Sequence, residues 1–521
     1  MREQRRAKAH HTSLQTRVPP QGDIFKRVVA NLCLVLCLSV IGLPSIGHAE
    51  DGVMLLPHNQ GMLTWPVEDM VGALEAFVPR RIEELDVPGV AIAVVRNGKV
   101  IYEGTFGVRD VLSGEPVTRD TLFEAASLSK PITAHGALMM VQDGTLSLSK
   151  PLAQGLSVPW LSQEHETKPM TLRDVLSHRS GLGNNLVSPD RDPDVEPGTL
   201  FEYSGVGYMY LQHVMGQKAA GGFSQWFTQH VFDPLGMTRT GFSVKDGQTD
   251  FMARGYVPLY LPALLFFVPF LLLFSVSTIG VWAFQRFVLD RPRFLARDLS
   301  IPIVLSIGLT FFAVAHYVGW GALPYILLLT FCVALFFFLL FLLLRYLADV
   351  MGLLHPDEGI ISRGRRPSTA RAVMICIVLS GAATYSVSRI QVPLPHMDFQ
   401  QENAANSLRT TVGDLGLFVA GFLKGSLLSP VLYQEMFQGA VIIDDEMSWG
   451  LGLGVRQQGQ LITYWQWGSN PGFESVMVID PVRRGGVVVL TNSSHGQVLA
   501  QEIAGQVMGV AAGWNLDPTA Y

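Results

Sequence analysis

The sequence predicts a mixed α/β domain interrupted by a block of four membrane-spanning helices. Three observations carry the prediction. Gly89 to Gly104 reads as a buried strand, an Asn97-Gly98 turn and a return strand, and Asn-Gly between apolar runs is the strongest short hairpin signal. Two further apolar strands, Ser475–Ile479 and Val487–Thr491, flank a turn at Asp480-Pro481 and precede a helix from about Gln497. Between these ends, residues 257–397 turn abruptly apolar in four runs.

A chain of 521 residues has room for two or three domains. Its 49% hydrophobic content is high for a soluble enzyme. The net charge of -5 gives no reason to expect nucleic acid as a partner. All four cysteines, Cys33, Cys37, Cys332 and Cys376, lie in apolar runs. The polar parts therefore carry no disulfide framework, thiol nucleophile or Cys-type zinc site, and neither metal nor cofactor is expected.

In chain order, residues 1–49 join a basic stretch, an apolar run from Val28 to Leu43 and Gly47-His48-Ala49. That is the pattern of a secretory signal peptide, with an uncleaved N-terminal anchor as the alternative. Either way, residues after Glu50 are expected outside the cytoplasm. Residues 50–256 form the first part of the α/β domain. A helix runs from Val67 to about Leu85, with Pro79 able to kink it. The hairpin follows, then a helix near Ser127 and a helix-rich stretch through Ser180-Gly181-Leu182. His178, in that Ser-Gly turn, reads as a hydrogen-bonding group that steadies a loop rather than as a catalytic base.

The four runs of the 257–397 block are Leu259–Phe284, Ile301–Val318, Tyr325–Leu344 and Ala372–Val387. Each is about long enough to cross ~30 Å of hydrocarbon as a helix. Arginines cluster after the first run (Arg286, Arg291, Arg293, Arg297) and after the third (Arg345, Arg363, Arg365, Arg366, Arg371). The connection at Gly319-Trp320-Gly321 has no Lys or Arg. Positive-inside alternation then puts both basic loops in the cytoplasm and makes the lipid bilayer a partner. The second part of the domain, 398–521, opens a helix at Thr410-Thr411-Val412-Gly413-Asp414-Leu415 and has a glycine-rich strand at Gly450–Val455.

One short stretch carries chemistry. Ser127-x-x-Lys130 sets an amine one helical turn from a hydroxyl. A serine hydroxyl needs an adjacent base to act as a nucleophile, and an amine whose pKa is lowered by burial is such a base. Serine and lysine at this spacing are most often an exposed helix turn, so the surrounding runs decide. They are Val87-Pro88-Gly89-Val90, Thr121-Leu122-Phe123, Ser180-Gly181-Leu182, Tyr203-Ser204, Phe232-Asp233-Pro234-Leu235-Gly236-Met237 and Asn470-Pro471-Gly472-Phe473. Together with Ser127-Leu128-Ser129-Lys130, and in this order, they resemble the serine beta-lactamase and penicillin-binding-protein superfamily. Within it the likeness is to the branch of class C beta-lactamases, D-Ala-D-Ala carboxypeptidases and beta-lactamase-like esterases. It covers roughly residues 65–256 and 398–512.

The resemblance implies an antiparallel sheet covered by helices plus a helical subdomain, with the site between them. It implies Ser127 as the acylated nucleophile, Lys130 as its activator and Tyr203 as a proton relay. Gln466-Trp467-Gly468 would form the third motif, and the Ser469 backbone N–H would complete an oxyanion hole with that of Ser127. Two positions depart from the family pattern. Gly205 stands where Tyr-x-Asn has its asparagine, and Gln466 stands where Lys or His usually precedes x-Gly. A neutral amide holds a carboxylate less strongly than a cation does, so esters and peptide-like amides gain over beta-lactams and D-Ala-D-Ala termini. The expectation is a membrane-anchored serine hydrolase facing the periplasm or cell exterior, with a small-molecule or peptidoglycan-like substrate. The alternative is an acylatable sensor or binding protein that signals through its helices. Because Ser127 and Tyr203 precede the apolar block and Gln466 follows it, a single site requires an even number of crossings.

Overall fold

The hairpin forms where the Asn-Gly pair sets it. In the computed structural model Asn97 and Gly98 have φ of 51° and 68°, the positive values that a two-residue hairpin loop needs. They join β1 (Gly89–Arg96) to β2 (Lys99–Asp110). The structure describes residues 61–161, 169–186, 189–244, 247–258, 391–394, 402–438 and 441–514. The N-terminal segment and the four apolar runs lie outside them. Among the described residues, no helix is long and apolar enough to cross a membrane.

The chain continues through β3 (Glu115–Pro116) and β4 (Phe123–Ala126). Next come β5 (Tyr256–Pro258), β6 (Gln391–Pro393) and β7 (Leu408–Thr410). After these come β8 (Val441–Ile442), β9 (Met447–Trp449), β10 (Gly454–Gln458), β11 (Leu461–Asn470), β12 (Phe473–Asp480) and β13 (Gly485–Thr491). Nine described strands make one antiparallel sheet in the order β3-β2-β1-β13-β12-β11-β10-β9-β8. β1 pairs with β13, from Val90 opposite Thr491 to Arg96 opposite Gly485. The segments before and after the apolar block therefore share one sheet. β4 pairs with β7 and ties the same two segments together again, and β5 with β6 pairs the two ends of the 257–397 block, which there belong to the fold rather than to the apolar runs.

Helices cover both faces, which is why β1, β12 and β13 are buried along almost their whole length rather than at alternate residues. α1 (Val67–Glu84) continues through Pro79. With α6 (Gly496–Met508) it packs on the face carrying Val90, Ile92, Val476 and Val489. The opposite face, with Ala91, Ala93, Met477 and Leu490, is covered by α2 (Ser129–Gln142) and α5 (Val412–Lys424). α5 opens in the run at 410–415 as predicted, and the Thr411 side chain caps it by accepting the Asp414 N–H. Two further helices, the short α3 (Leu172–Leu176) and α4 (Gly205–Lys218), belong to the same apolar layer.

Two local expectations are corrected. The helix after β4 begins at Ser129, so Ser127 stands on the turn before it. The glycine-rich stretch becomes a strand only at Gly454. Before that, Gly452 takes φ 96° and passes so close to α2 that a Cβ there would lie 2.2 Å from the Ala134 Cβ.

Candidate active site

Ser127 sits on a tight corner between β4 and α2. Ala126, the residue before it, has φ 49°, a left-handed conformation that costs a non-glycine residue on the order of 1 kcal/mol. The corner is held from the far segment of the chain. The Ser129 hydroxyl donates to the Ala126 carbonyl at 2.6 Å and accepts the Leu408 N–H at 3.0 Å.

Lys130 enters the same corner from the first turn of α2. Its Nζ lies 2.9 Å from Ser127 Oγ and donates to the Ala405 carbonyl at 3.0 Å. The side chain is 1% exposed, and among the described residues no carboxylate pairs with it. Burial therefore holds its pKa down at about 7.

Tyr203 completes the group. Its hydroxyl is hydrogen-bonded to the Ser127 side chain and accepts from Gln466 Nε2 at 3.0 Å. Burial raises the phenol well above its ordinary pKa, which these two bonds only partly offset, so it stays protonated. The ring is packed between His178 and Trp467, at centroid distances of 4.3 and 4.8 Å.

His178 steadies the loop, as expected. Its Nδ1 accepts the Ser204 N–H at 3.0 Å and its carbonyl accepts the Glu202 N–H at 2.8 Å, bracketing Tyr203. Burial, and secondarily the charge of Lys130, lowers its pKa well below the ordinary value, so the ring is neutral.

The third-motif residues lie along an open edge. β10 pairs with β11 only as far as Trp465, so residues 466–470 have a paired strand on the β12 side alone. Gln466 is fully buried. Its Nε2 donates to both Tyr203 and the Trp467 carbonyl, which leaves neither amide hydrogen for a ligand. Gly468 abuts the Ser127 corner. A Cβ there would lie 2.4 Å from the Ala125 carbonyl and 3.1 Å from the Ser127 nitrogen, so only glycine lets the strand approach. Ser469 is exposed, and its hydroxyl donates to Glu474 on β12 at 2.7 Å.

Sequence reasoning missed what fills the place of the absent asparagine. Gly205 N–H donates to Asn184 Oδ1 at 2.8 Å. A Cβ at Gly205 would stand 2.7 Å from that oxygen and 2.5 Å from Leu186 Cδ2. A loop carboxamide thus occupies the volume of a residue-205 side chain. It also missed a buried support behind the corner, where Asn470 Nδ2 donates to Glu124 at 2.8 Å and Arg409 lies 3.7 Å from the same carboxylate. Neither partnership is visible in local spacing. Among the described residues, no cluster of His, Cys, Asp and Glu could hold a metal ion.

Residues 74–266 and 363–512 match the sequence profile of the Beta-lactamase family. The chain belongs to that family. The profile breaks between 267 and 362, inside the apolar block. Protein flp of Staphylococcus aureus (strain MW2) is 25% identical over 201 residues, 35% of this chain and 40% of that protein. A Beta-lactamase of Pseudomonas fluorescens is 29% identical over 202 residues, 36% of this chain and 55% of that one. The chain thus spans between two fifths and just over half of the length of these curated relatives. Among solved structures, the octameric penicillin-binding protein homologue from Pyrococcus abyssi superposes with a TM-score of 0.52 at 18% identity, covering 85% of this chain and 78% of that one. D-amino acid amidase from Ochrobactrum anthropi SV3 in complex with L-phenylalanine gives 0.52 at 18%, covering 84% and 98%. At such identities the likeness is one of fold: the beta-lactamase-like mixed α/β fold with its antiparallel sheet.

Proposed function

We propose that this Beta-lactamase family member is a serine hydrolase that forms an acyl-enzyme on Ser127 from an ester or peptide-like amide. The observation that best supports this is the 2.9 Å contact between Ser127 Oγ and a buried amine whose pKa lies near 7. At neutral pH about half of that amine is unprotonated and, at hydrogen-bond distance, able to accept the hydroxyl proton. Tyr203 cannot be the primary base, because burial keeps it a phenol; it is placed to relay.

In this reading Lys130 Nζ takes the Ser127 proton as Oγ attacks the carbonyl carbon. The oxyanion is met by the backbone N–H groups of Ser127 and Ser469. The proton passes through the Tyr203 hydroxyl to the leaving group as its bond to carbon breaks, and water then hydrolyses the acyl-enzyme by the same route. With Gln466 neutral and committed to Tyr203, a substrate carboxylate has no cation at that position, which favours neutral carbonyl substrates. The N-terminal signal pattern, the four apolar runs and the arginine alternation support a membrane-anchored protein with this site outside the cytoplasm. The break in the family profile at 267–362 supports an insertion there, narrower than 257–397, because the profile still matches the fourth apolar run at 372–387.

The test is labelling with a fluorophosphonate and with a labelled penicillin, for the natural protein and Ser127→Ala. Fluorophosphonate labelling that vanishes in Ser127→Ala, with turnover of an activated ester, is the expected result. Labelling that persists in the variant would overturn the nucleophile. A stable penicillin adduct without ester turnover would favour the sensor reading instead.

A further inference from the structure

Gln466 touches no reacting atom, yet it stands at the far end of a hydrogen-bonded line that runs to Lys130. Side chains alternate along β11, so Gln466 lies on the face of the sheet that Gly468 presents to the Ser127 corner. The side chain is fully buried, and its backbone is held opposite Met477 on β12. The Trp467 carbonyl, which can only accept, lies 2.7 Å from Nε2 and so fixes which end of the amide is nitrogen. The other amide hydrogen goes to the Tyr203 oxygen at 3.0 Å.

We infer that Gln466 is a positioning residue that sets the polarity of this line: by donating to Tyr203 it turns the phenol hydrogen onto Ser127, and the serine hydrogen onto Lys130. This deepens the reading of the site as a serine hydrolase and rests on it. A phenol carries one hydrogen. With its oxygen accepting from Gln466, that hydrogen is free for the Ser127 oxygen, to which Tyr203 is hydrogen-bonded. Oγ then accepts from the phenol, so its own hydrogen faces the Lys130 amine 2.9 Å away. The Ala405 carbonyl takes one amine hydrogen at 3.0 Å, and the lone pair of the neutral amine is left for the serine. Bonds aligned in one direction polarise one another. An acceptor in place of Nε2 would draw the phenol hydrogen away, and Oγ would lose the donor that reserves its proton for the amine. What position 466 must supply to Tyr203 is thus a hydrogen-bond donor, charged or neutral.

The test compares Gln466→Met, close in size and without a donor, with Gln466→Lys, which restores one. Hydrolysis of nitrophenyl acetate by the full-length proteins is followed against pH, and urea unfolding is measured beside it. Gln466→Met should lower kcat about tenfold with KM little changed. A serine that no longer donates ceases to favour the neutral amine, so the rise of kcat/KM should move upward from about pH 7. Gln466→Lys should keep the higher kcat of the two and move the rise to lower pH. Methionine suits a buried site better than lysine, so a residue that served packing alone would rank Met above Lys in turnover as in stability. That ranking of turnover, or an unchanged kcat and pH profile in Gln466→Met, would overturn the role. Should Gln466→Lys not fold, Gln466→His supplies the donor for the same ranking. Absence of Ser127-dependent turnover in the natural protein would instead overturn the hydrolase reading beneath it.

Discussion

Replacing Lys130 by methionine should inactivate the protein and stabilise its fold, and the stabilisation should depend on pH in a defined direction. The buried amine releases its proton near pH 7, whereas in the unfolded chain it holds the proton to about 10.5. As pH falls through that window the unfolded state binds a proton that the folded state resists. The penalty on folding therefore grows on acidification and is complete below pH 7. The span from 10.5 to about 7, at ~1.36 kcal/mol per pH unit, amounts to about 5 kcal/mol. Lys130→Met removes that penalty but also loses the bonds to Ser127 Oγ and the Ala405 carbonyl, at ~1 kcal/mol each. The variant should thus be more stable by about 3 kcal/mol at pH 6 and roughly equal to the natural protein at pH 9.5. Equilibrium unfolding of both proteins by urea at the two pH values measures this directly. A stability difference that does not change with pH would refute a buried, charge-resisting lysine, and with it the base assigned here.

Four further outcomes are expected. Tyr203→Phe should lower kcat for an activated ester about 100-fold while leaving fluorophosphonate labelling of Ser127 detectable; undiminished kcat would remove Tyr203 from the proton path. For a neutral ester, kcat/KM should rise with pH through about 7 as Lys130 loses its proton. Gln466→Lys, which sets a second cation beside Tyr203, should move that rise to lower pH and favour carboxylate-bearing substrates; an unmoved profile would mean that another group titrates. Cysteines placed singly at Asn185 and Val498 should react with an impermeant thiol reagent on spheroplasts and one at Arg363 should not, whereas opposite behaviour of Asn185 and Val498 would contradict a single extracytoplasmic site.

How much could be read without the structure depended on how local the signal was. The β1–β2 hairpin was legible because Asn97-Gly98 dictates its own turn, and α5 because Thr411 and Asp414 form its cap. The meeting of Ser127, Lys130 and Tyr203 was legible through the three-residue spacing taken with the family-like runs around it, and the structure brings the three side chains together. The start of α2 was misjudged by two residues because the strained Ala126 corner, which presents Ser127, has no composition signature. The pairing of β1 with β13, the carboxamide of Asn184 against Gly205 and the Ser469–Glu474 contact join residues distant in sequence or on separate strands. Gln466 was expected to meet a substrate, yet the structure engages both its amide hydrogens within the protein. That difference follows from rotamer and burial, which sequence spacing does not encode.

The β5–β6 ladder bears on how this chain arose. Pro258 lies opposite Gln391, so the chain leaves and re-enters the domain through a gap of one strand spacing, ~4.8 Å. A gap that narrow is what an ordinary hairpin turn closes, and the ladder behind it is complete whatever hangs from its tip. The family profile runs on through Pro258 to residue 266 and resumes at 363, so whatever the family lacks lies between 267 and 362, and its gain or loss there would need no change in the sheet. A chain shortened between 267 and 362 should therefore keep Pro258 paired with Gln391.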